Sequence, residues 1–150
     1  MGTGIERCFM PRERNIELVK HAAARFSARD LEGYLELYIP AVVHHGFSNS
    51  RPGIAGLRDH FTHLRQGFPD MRIDTEDIIA DGEKVVHRYL FSGTHLGEYL
   101  GLAPTGIAVR APGMIFHLFQ GKCVEVWQVV DSFGFMAQIG AARVPQLAKS

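Results

Sequence analysis

No sign of charge dominates this chain. Its 16 Lys and Arg stand against 16 Asp and Glu, so it has no broad electrostatic footprint of the kind that a phosphate backbone or an anionic membrane demands. Nucleic acid and membrane are therefore not expected partners. No apolar run approaches the ~20 residues that cross a bilayer, and residues 1–14 hold no apolar core of signal-peptide length. The expectation is a soluble, non-secreted, cytoplasmic protein.

Cysteine is scarce as well. Cys8 and Cys123 show neither CxxC spacing nor a disulfide framework, so both are read as free thiols, Cys123 as a small core or interface residue. The eight histidines invite a metal reading, which the spacing does not support. His44 and His45 point to opposite faces of a strand, no HExxH occurs, and His60 and His63 share a helix face without an evident third ligand. No metal or cofactor is expected.

The 150 residues suit one domain with a sizeable core. Residues 1–11 read as a flexible N-terminus, 12–140 as the folded domain and 141–150 as a tail, with no internal repeat or low-complexity segment. Ile16, Val19, Ala23 and Phe26 form one stripe of an amphipathic helix over 12–27. Asp30 can cap a second helix carrying Leu31, Tyr34, Leu35 and Tyr38, ended by Pro40. A short β-type run, 41–46, and a turn-rich loop follow. The helical stripe returns through Leu57, Phe61, Leu64 and Phe68, with His60 on its apolar side.

Beyond Asp70 the period changes to β-branched and aromatic runs separated by glycine-containing turns. Asp81-Gly82 marks a hairpin between 73–80 and 84–94. A loop at 101–106 leads to a last hairpin, 109–119 with 123–130, and a short helix over 133–139. The fold class is α+β: three N-terminal helices packed on a strongly curved antiparallel sheet that curls into a cone-shaped barrel. Such a cone has a mouth, where a pocket forms between sheet and helices.

Several motifs together carry a likeness. Phe68-Pro69-Asp70, Gly93-Thr94-His95-Leu96-Gly97-Glu98, Ala103-Pro104-Thr105-Gly106, Gly121-Lys122 with Glu125-Val126-Trp127, Asp131 and Gln138-Ile139-Gly140 resemble the SnoaL-like polyketide cyclase family over residues 12–140. The resemblance implies a barrel of the nuclear-transport-factor-2 (NTF2) type, a dimer or tetramer, and a cavity for a hydrophobic polyketide-like substrate. It also implies cofactor-free ring closure by intramolecular aldol condensation. In that family an aspartate on the last strand transfers protons beside a histidine on the preceding strand. Anchored on Gly121-Lys122, these positions fall here at Gln128 and Met114, so the usual acid-base pair is replaced. Gln128 can donate to a carbonyl oxygen but cannot titrate, and Met114 can only pack.

If the last turn spans three residues, Gln120-Gly121-Lys122, then Met114 faces Gln128 and His117 faces Glu125. One face carries Met114, Phe116, Val124, Val126, Gln128 and Val130, and alignment puts the cavity there. The other carries Ile115, His117, Glu125, Trp127, Val129 and Asp131. A two-residue turn or a bulge would shift the faces by one residue.

The candidate catalytic residues are His60, Gln128 and Asp131. His60 is either a proton-transfer group on the cavity roof or a hydrogen-bonded core histidine, and Asp131 either lines the mouth or caps the last helix. Candidate substrate contacts are Met114, Phe116, Val126, Trp127, Arg88, His95 and His117. Arg88 alternates with Val86 and Leu90 and so reads as a buried cation. His95 can instead organise its loop, and His117 with Glu125 can be a surface or interface pair. Three functions fit: a tailoring enzyme that cyclises, isomerises or hydrolyses a hydrophobic polycarbonyl, a non-catalytic NTF2-like binder of small molecules, and an epoxide hydrolase-like enzyme.

Overall fold

Burial follows the predicted stripes. The computed structural model describes residues 11–47 and 51–143; Cys8 and most of the two expected terminal segments lie outside the described residues. In α1 (Pro11–Ser27) the stripe Val19, Ala22, Ala23 and Phe26 is buried. α2 (Leu31–Leu35) begins where the Asp30 side chain accepts a hydrogen bond from the Gly33 N–H, as an N-cap does. Here the helix expected up to Pro40 is corrected. It stops at Leu35, and Tyr38 already opens β1 (Tyr38–His45). Pro40 sits inside that strand because β1 is at a sheet edge and its register is irregular between Tyr38 and Val43, a place where a missing N–H is tolerated.

α3 (Gly53–Gly67) buries Leu57 and Phe61. Then come β2 (Arg72–Asp81), β3 (Lys84–Thr94), β4 (Ala108–Gln120), β5 (Lys122–Val130) and α4 (Ser132–Gln138). The sheet order is β1-β5-β4-β3-β2. Four strands form an antiparallel meander, but β1 lies parallel to β5, so the curved sheet is mixed rather than wholly antiparallel. Among the described residues β1 and β2 are its two edges, and the cone is open rather than a closed barrel.

The helices seal one face of this sheet. Phe26, Tyr34 and Phe61 meet edge to face at ring distances of 5.2–5.4 Å, a geometry worth about 0.5–1.5 kcal/mol per pair beyond burial. Ser27 Oγ bonds both the carbonyl and the N–H of Ile73, tying the end of α1 to edge strand β2. Cys123 is buried and free; burial pushes its thiol up to about 12, which leaves it inert. Among the described residues no helix is long and apolar enough to cross a membrane.

Candidate functional site

A bulge decides which side chains meet in the last hairpin. Phe119 pairs with Cys123, but Leu118 pairs with Glu125, so Val124 is the extra residue. From there the register differs by one from the three-residue-turn expectation. Ile115 faces Gln128, Met114 faces Val129, and His117 faces Val126. Because side chains alternate along a strand, one extra residue moves the whole β4 set to the other face. The inner face therefore carries Ile115 and His117 with Val126, Gln128 and Val130, and the outer face carries Met114, Phe116, Glu125, Trp127 and Val129.

Between the inner face and the helices lies a cavity of about 220 Å³. Its walls are mostly aromatic and aliphatic: Phe26, Phe61 and Leu64 from the helices, Phe91 and Ile115 from the sheet, and Phe135 from α4. The polar groups that reach it are His60, Gln128, Tyr89, Tyr99, Tyr34 and Ser132, the sparse arrangement that orients a ligand without hydrating it. His60 stands on α3, edge-on to Phe47 at 5.3 Å. Gln128 comes from β5, where Gly46 packs against its backbone carbonyl.

Two of the three candidate catalytic residues are thus brought to one cavity, and the third is not. Asp131 Oδ1 accepts from the Gly134 N–H at 2.9 Å and caps α4. Of the candidate contacts, Met114 is 52 % exposed on the outer face. Phe116 packs on Trp127 at 5.3 Å. Trp127 stacks on His45 at 5.0 Å, and it is His45, not His117, that pairs with Glu125, at 2.9 Å. Arg88 is corrected from a buried to an exposed cation, paired with Glu76. Val126 lies on the inner face but is wholly buried.

His117 is equally buried. Its Nδ1 is buried without a hydrogen-bond partner among the described residues, and its ring stacks on Tyr38 at 6.4 Å. Burial pushes its imidazole down to about 3, with His87 nearby adding to the effect. His87, bonded through Nε2 to Thr75 Oγ1 at 2.9 Å, is pushed by burial to about 4. Both rings are therefore neutral at neutral pH. His95 is buried under the β3–β4 loop, stacked on Phe68 at 5.3 Å with Thr105 Oγ1 3.0 Å from its Nδ1.

Sequence reasoning missed Tyr89, Tyr34 and Tyr99. Tyr89 pairs with Gly113 across the sheet, and its ring occupies the space that any side chain at Gly113 would need. Burial raises the phenol pKa of both Tyr89 and Tyr99, so each is a neutral donor. Tyr34 donates to or accepts from Tyr38 at 2.8 Å. Among the described residues no carboxylate lines the cavity, and no group of three or more His, Cys, Asp or Glu is placed to hold a metal.

Comparisons with known proteins agree with this fold. The sequence profile of the SnoaL-like polyketide cyclase family matches residues 16–139. Among solved structures, AclR, a proposed hydroxylase from Streptomyces galilaeus, is 26 % identical with a TM-score of 0.79, covering 87 % of this chain and 98 % of its own. IdmH, a proposed polyketide cyclase from Streptomyces antibioticus, is 28 % identical with a TM-score of 0.74, covering 85 % and 99 %. A SnoaL-like protein from Jannaschia sp. CCS1, 24 % identical with a TM-score of 0.77 over 93 % and 100 %, shares the fold. No curated protein matched.

Proposed function

Because the chain belongs to the SnoaL-like polyketide cyclase family, we propose that it performs cofactor-free acid-base chemistry on a hydrophobic polycarbonyl compound held in the cavity. The observation that carries this reading is that His60 and Gln128 line one cavity whose walls are mostly aromatic and aliphatic. A carbonyl oxygen accepts from the Gln128 amide and the Tyr89 hydroxyl, which stabilise negative charge better in a dry site than in water. His60 takes the proton from the adjacent carbon, and the electron pair moves onto that oxygen as an enolate. The enolate carbon then attacks a second carbonyl of the same molecule and the alkoxide so formed takes the proton from His60, or His60 returns the proton to a different, conjugated carbon to give a double-bond isomer. Asp131 acts at one remove, as the cap that holds Phe135 and Met136 of α4 in the wall.

Deuterium uptake from D2O at the α-carbon of 2-tetralone, followed by NMR, tests the proton transfer. The wild type is expected to exceed the buffer rate, with losses of tenfold or more in His60→Ala and Gln128→Ala. Uptake at the buffer rate in the wild type sinks the catalytic reading. The second reading, a non-catalytic small-molecule binder, is favoured by the lack of a carboxylate in the cavity wall among the described residues. The same observation weighs against epoxide hydrolysis.

The outer sheet face exposes Val43, Met114 and Val129 beside Trp127 and Phe116. An apolar surface of this kind marks an interaction site. We assign it to pairing of two copies in a cytoplasmic homo-oligomer.

A further inference from the structure

The last of the motifs that carry the family likeness, Gln138-Ile139-Gly140, stands at the end of α4, and none of its residues lines the cavity. Each fixes the helix in its own way. Ile139 is buried in the core. Gly140, at φ 79°, donates its N–H to Ala137 O at 3.1 Å while the Ala141 N–H donates to Met136 O at 2.9 Å, the bond pair of a Schellman cap. Gln138 is the polar member, and its bonds leave the helix.

Strand β5 ends at Val130, which pairs with Gly113 of β4. One step further the Asp131 N–H donates to Pro112 O at 3.1 Å, and beyond that point no strand pairs with β4 on this side among the described residues. Arg110 lies two residues from Pro112, so its backbone N–H and C=O point to the same open side, while those of Ala111 point to β3. The Gln138 side chain fills the gap. Its Oε1 accepts from the Arg110 N–H at 2.9 Å and its Nε2 donates to Arg110 O at 2.8 Å, as the peptide groups of a further strand would. Nε2 also donates to Gly134 O at 3.1 Å, one turn back in α4, so both donors of the amide are used.

α4 needs this support. Its seven residues are too few to hold a helix by themselves, yet it supplies Ser132, Phe135 and Met136 to the cavity wall. Asp131 fixes its first turn. The Gln138 clamp fixes its last turn to β4, the middle strand of the sheet. Phe135 still packs on Phe68 at 5.1 Å, so loss of the clamp shifts the helix rather than unfolding the chain.

Resting on the cavity being the ligand site, we infer that Gln138 is a positioning residue. Its amide stands in for a missing strand beside Arg110 and so sets where Phe135 and Met136 stand in the wall, without touching the ligand.

Gln138→Ala removes the clamp, and Gln138→Met keeps the length of the side chain without its hydrogen bonds, so the two variants should behave alike. Amide hydrogen exchange followed by NMR reads the clamp: the Arg110 N–H should exchange about tenfold faster in both, and the Ala111 N–H at the wild-type rate. Binding of 2-tetralone by NMR titration and its deuterium uptake read the wall. Kd and KM should each rise about tenfold, the scale of two ordinary hydrogen bonds, with kcat within about twofold because His60, Gln128 and Tyr89 stay in place. An Arg110 amide that exchanges as in the wild type overturns the clamp, and faster exchange with Kd unchanged overturns its hold on the cavity. A kcat that falls as far as KM rises, with a lower urea midpoint, makes the role merely structural and overturns the inference too. A wild type that binds 2-tetralone without deuterating it removes the catalytic reading alone, and Kd then decides the inference. A wild type that does not bind it overturns the cavity reading and this inference with it.

Discussion

The ring of Tyr89 lies across its cross-strand partner Gly113 so closely that a Cβ at 113 would stand 2.5 Å from both Cζ and the hydroxyl oxygen of Tyr89. The glycine leaves the room that the ring and hydroxyl of Tyr89, a residue of the cavity wall, take up over the sheet. Gly113→Ala is therefore expected to push the ring into the cavity. Stability should fall by about 1–3 kcal/mol, the usual cost of overpacking, and affinity for cavity ligands should fall with it. Adding Tyr89→Ala to Gly113→Ala should recover part of the affinity, because the displaced ring is gone. Urea denaturation and calorimetry of the two single variants and the double check this, and simple additivity would mean that the two residues do not share the space.

The buried histidines make the fold acid-sensitive well above the carboxylate range. In the folded state His87 titrates at about 4 and His117 at about 3, against an ordinary value of 6.5. Between those values the unfolded chain binds protons that the folded chain refuses, so stability is fully present above pH 6.5 and is lost as pH falls below it. Each ring contributes about 1.4 kcal/mol per pH unit until its folded value is reached. Urea midpoints measured from pH 7.5 to pH 5 should therefore fall steadily, and His117→Phe should flatten the slope. Midpoints that stay level down to pH 5 would show that these rings titrate normally.

The elements were legible in the sequence because each carried its own periodicity and its own stop. Asp30, Asp81-Gly82 and Gly121 are local signals, and the structure places caps or turns at all three. What failed was non-local. Tyr38 continues the helical spacing of Leu31, Tyr34 and Leu35, and it is indeed buried, but as the first residue of a strand. In β3 both alternations look apolar, 86/88/90 with Arg88 inside or 85/87/89/91 with His87 and Tyr89 inside, and the structure takes the second. Gly113 was the signal that could have decided it, since a central glycine marks close approach of a neighbour. The bulge at Val124 left no such mark, and it alone exchanged Met114 and Phe116 for Ile115 and His117 on the inner face.

Gln128 offers a gain-of-charge test. Placed on β5 with its side chain at the cavity, it occupies the position to which the family resemblance assigns a carboxylate. Gln128→Asp puts that carboxylate among aromatic walls, where desolvation raises its pKa. Its folded value would then exceed its unfolded value, so the variant should be most stable at low pH and lose roughly 1–3 kcal/mol as pH rises through the folded value. The amide donor to the carbonyl oxygen is lost, but deuterium uptake by 2-tetralone should increase with pH in the variant as the carboxylate ionises and acts as a base. An uptake that declines with increasing pH would rule out the carboxylate as a base at this position.

Val129 tests the outer face. It is 74 % exposed opposite the outward-facing Met114, on the strand that also carries Trp127. Val129→Lys should leave the fold of the single chain within about 0.5 kcal/mol, as surface changes do. If two copies pair through this face, the substitution brings a lysine from each into an apolar contact, and one unpaired buried charge is enough to cost several kcal/mol. Sedimentation velocity across a hundredfold range of protein concentration should then show an oligomer for the wild type and a single chain for Val129→Lys. A wild type that sediments as one chain throughout that range removes the pairing proposal. An oligomer indifferent to the lysine moves the contact to another surface.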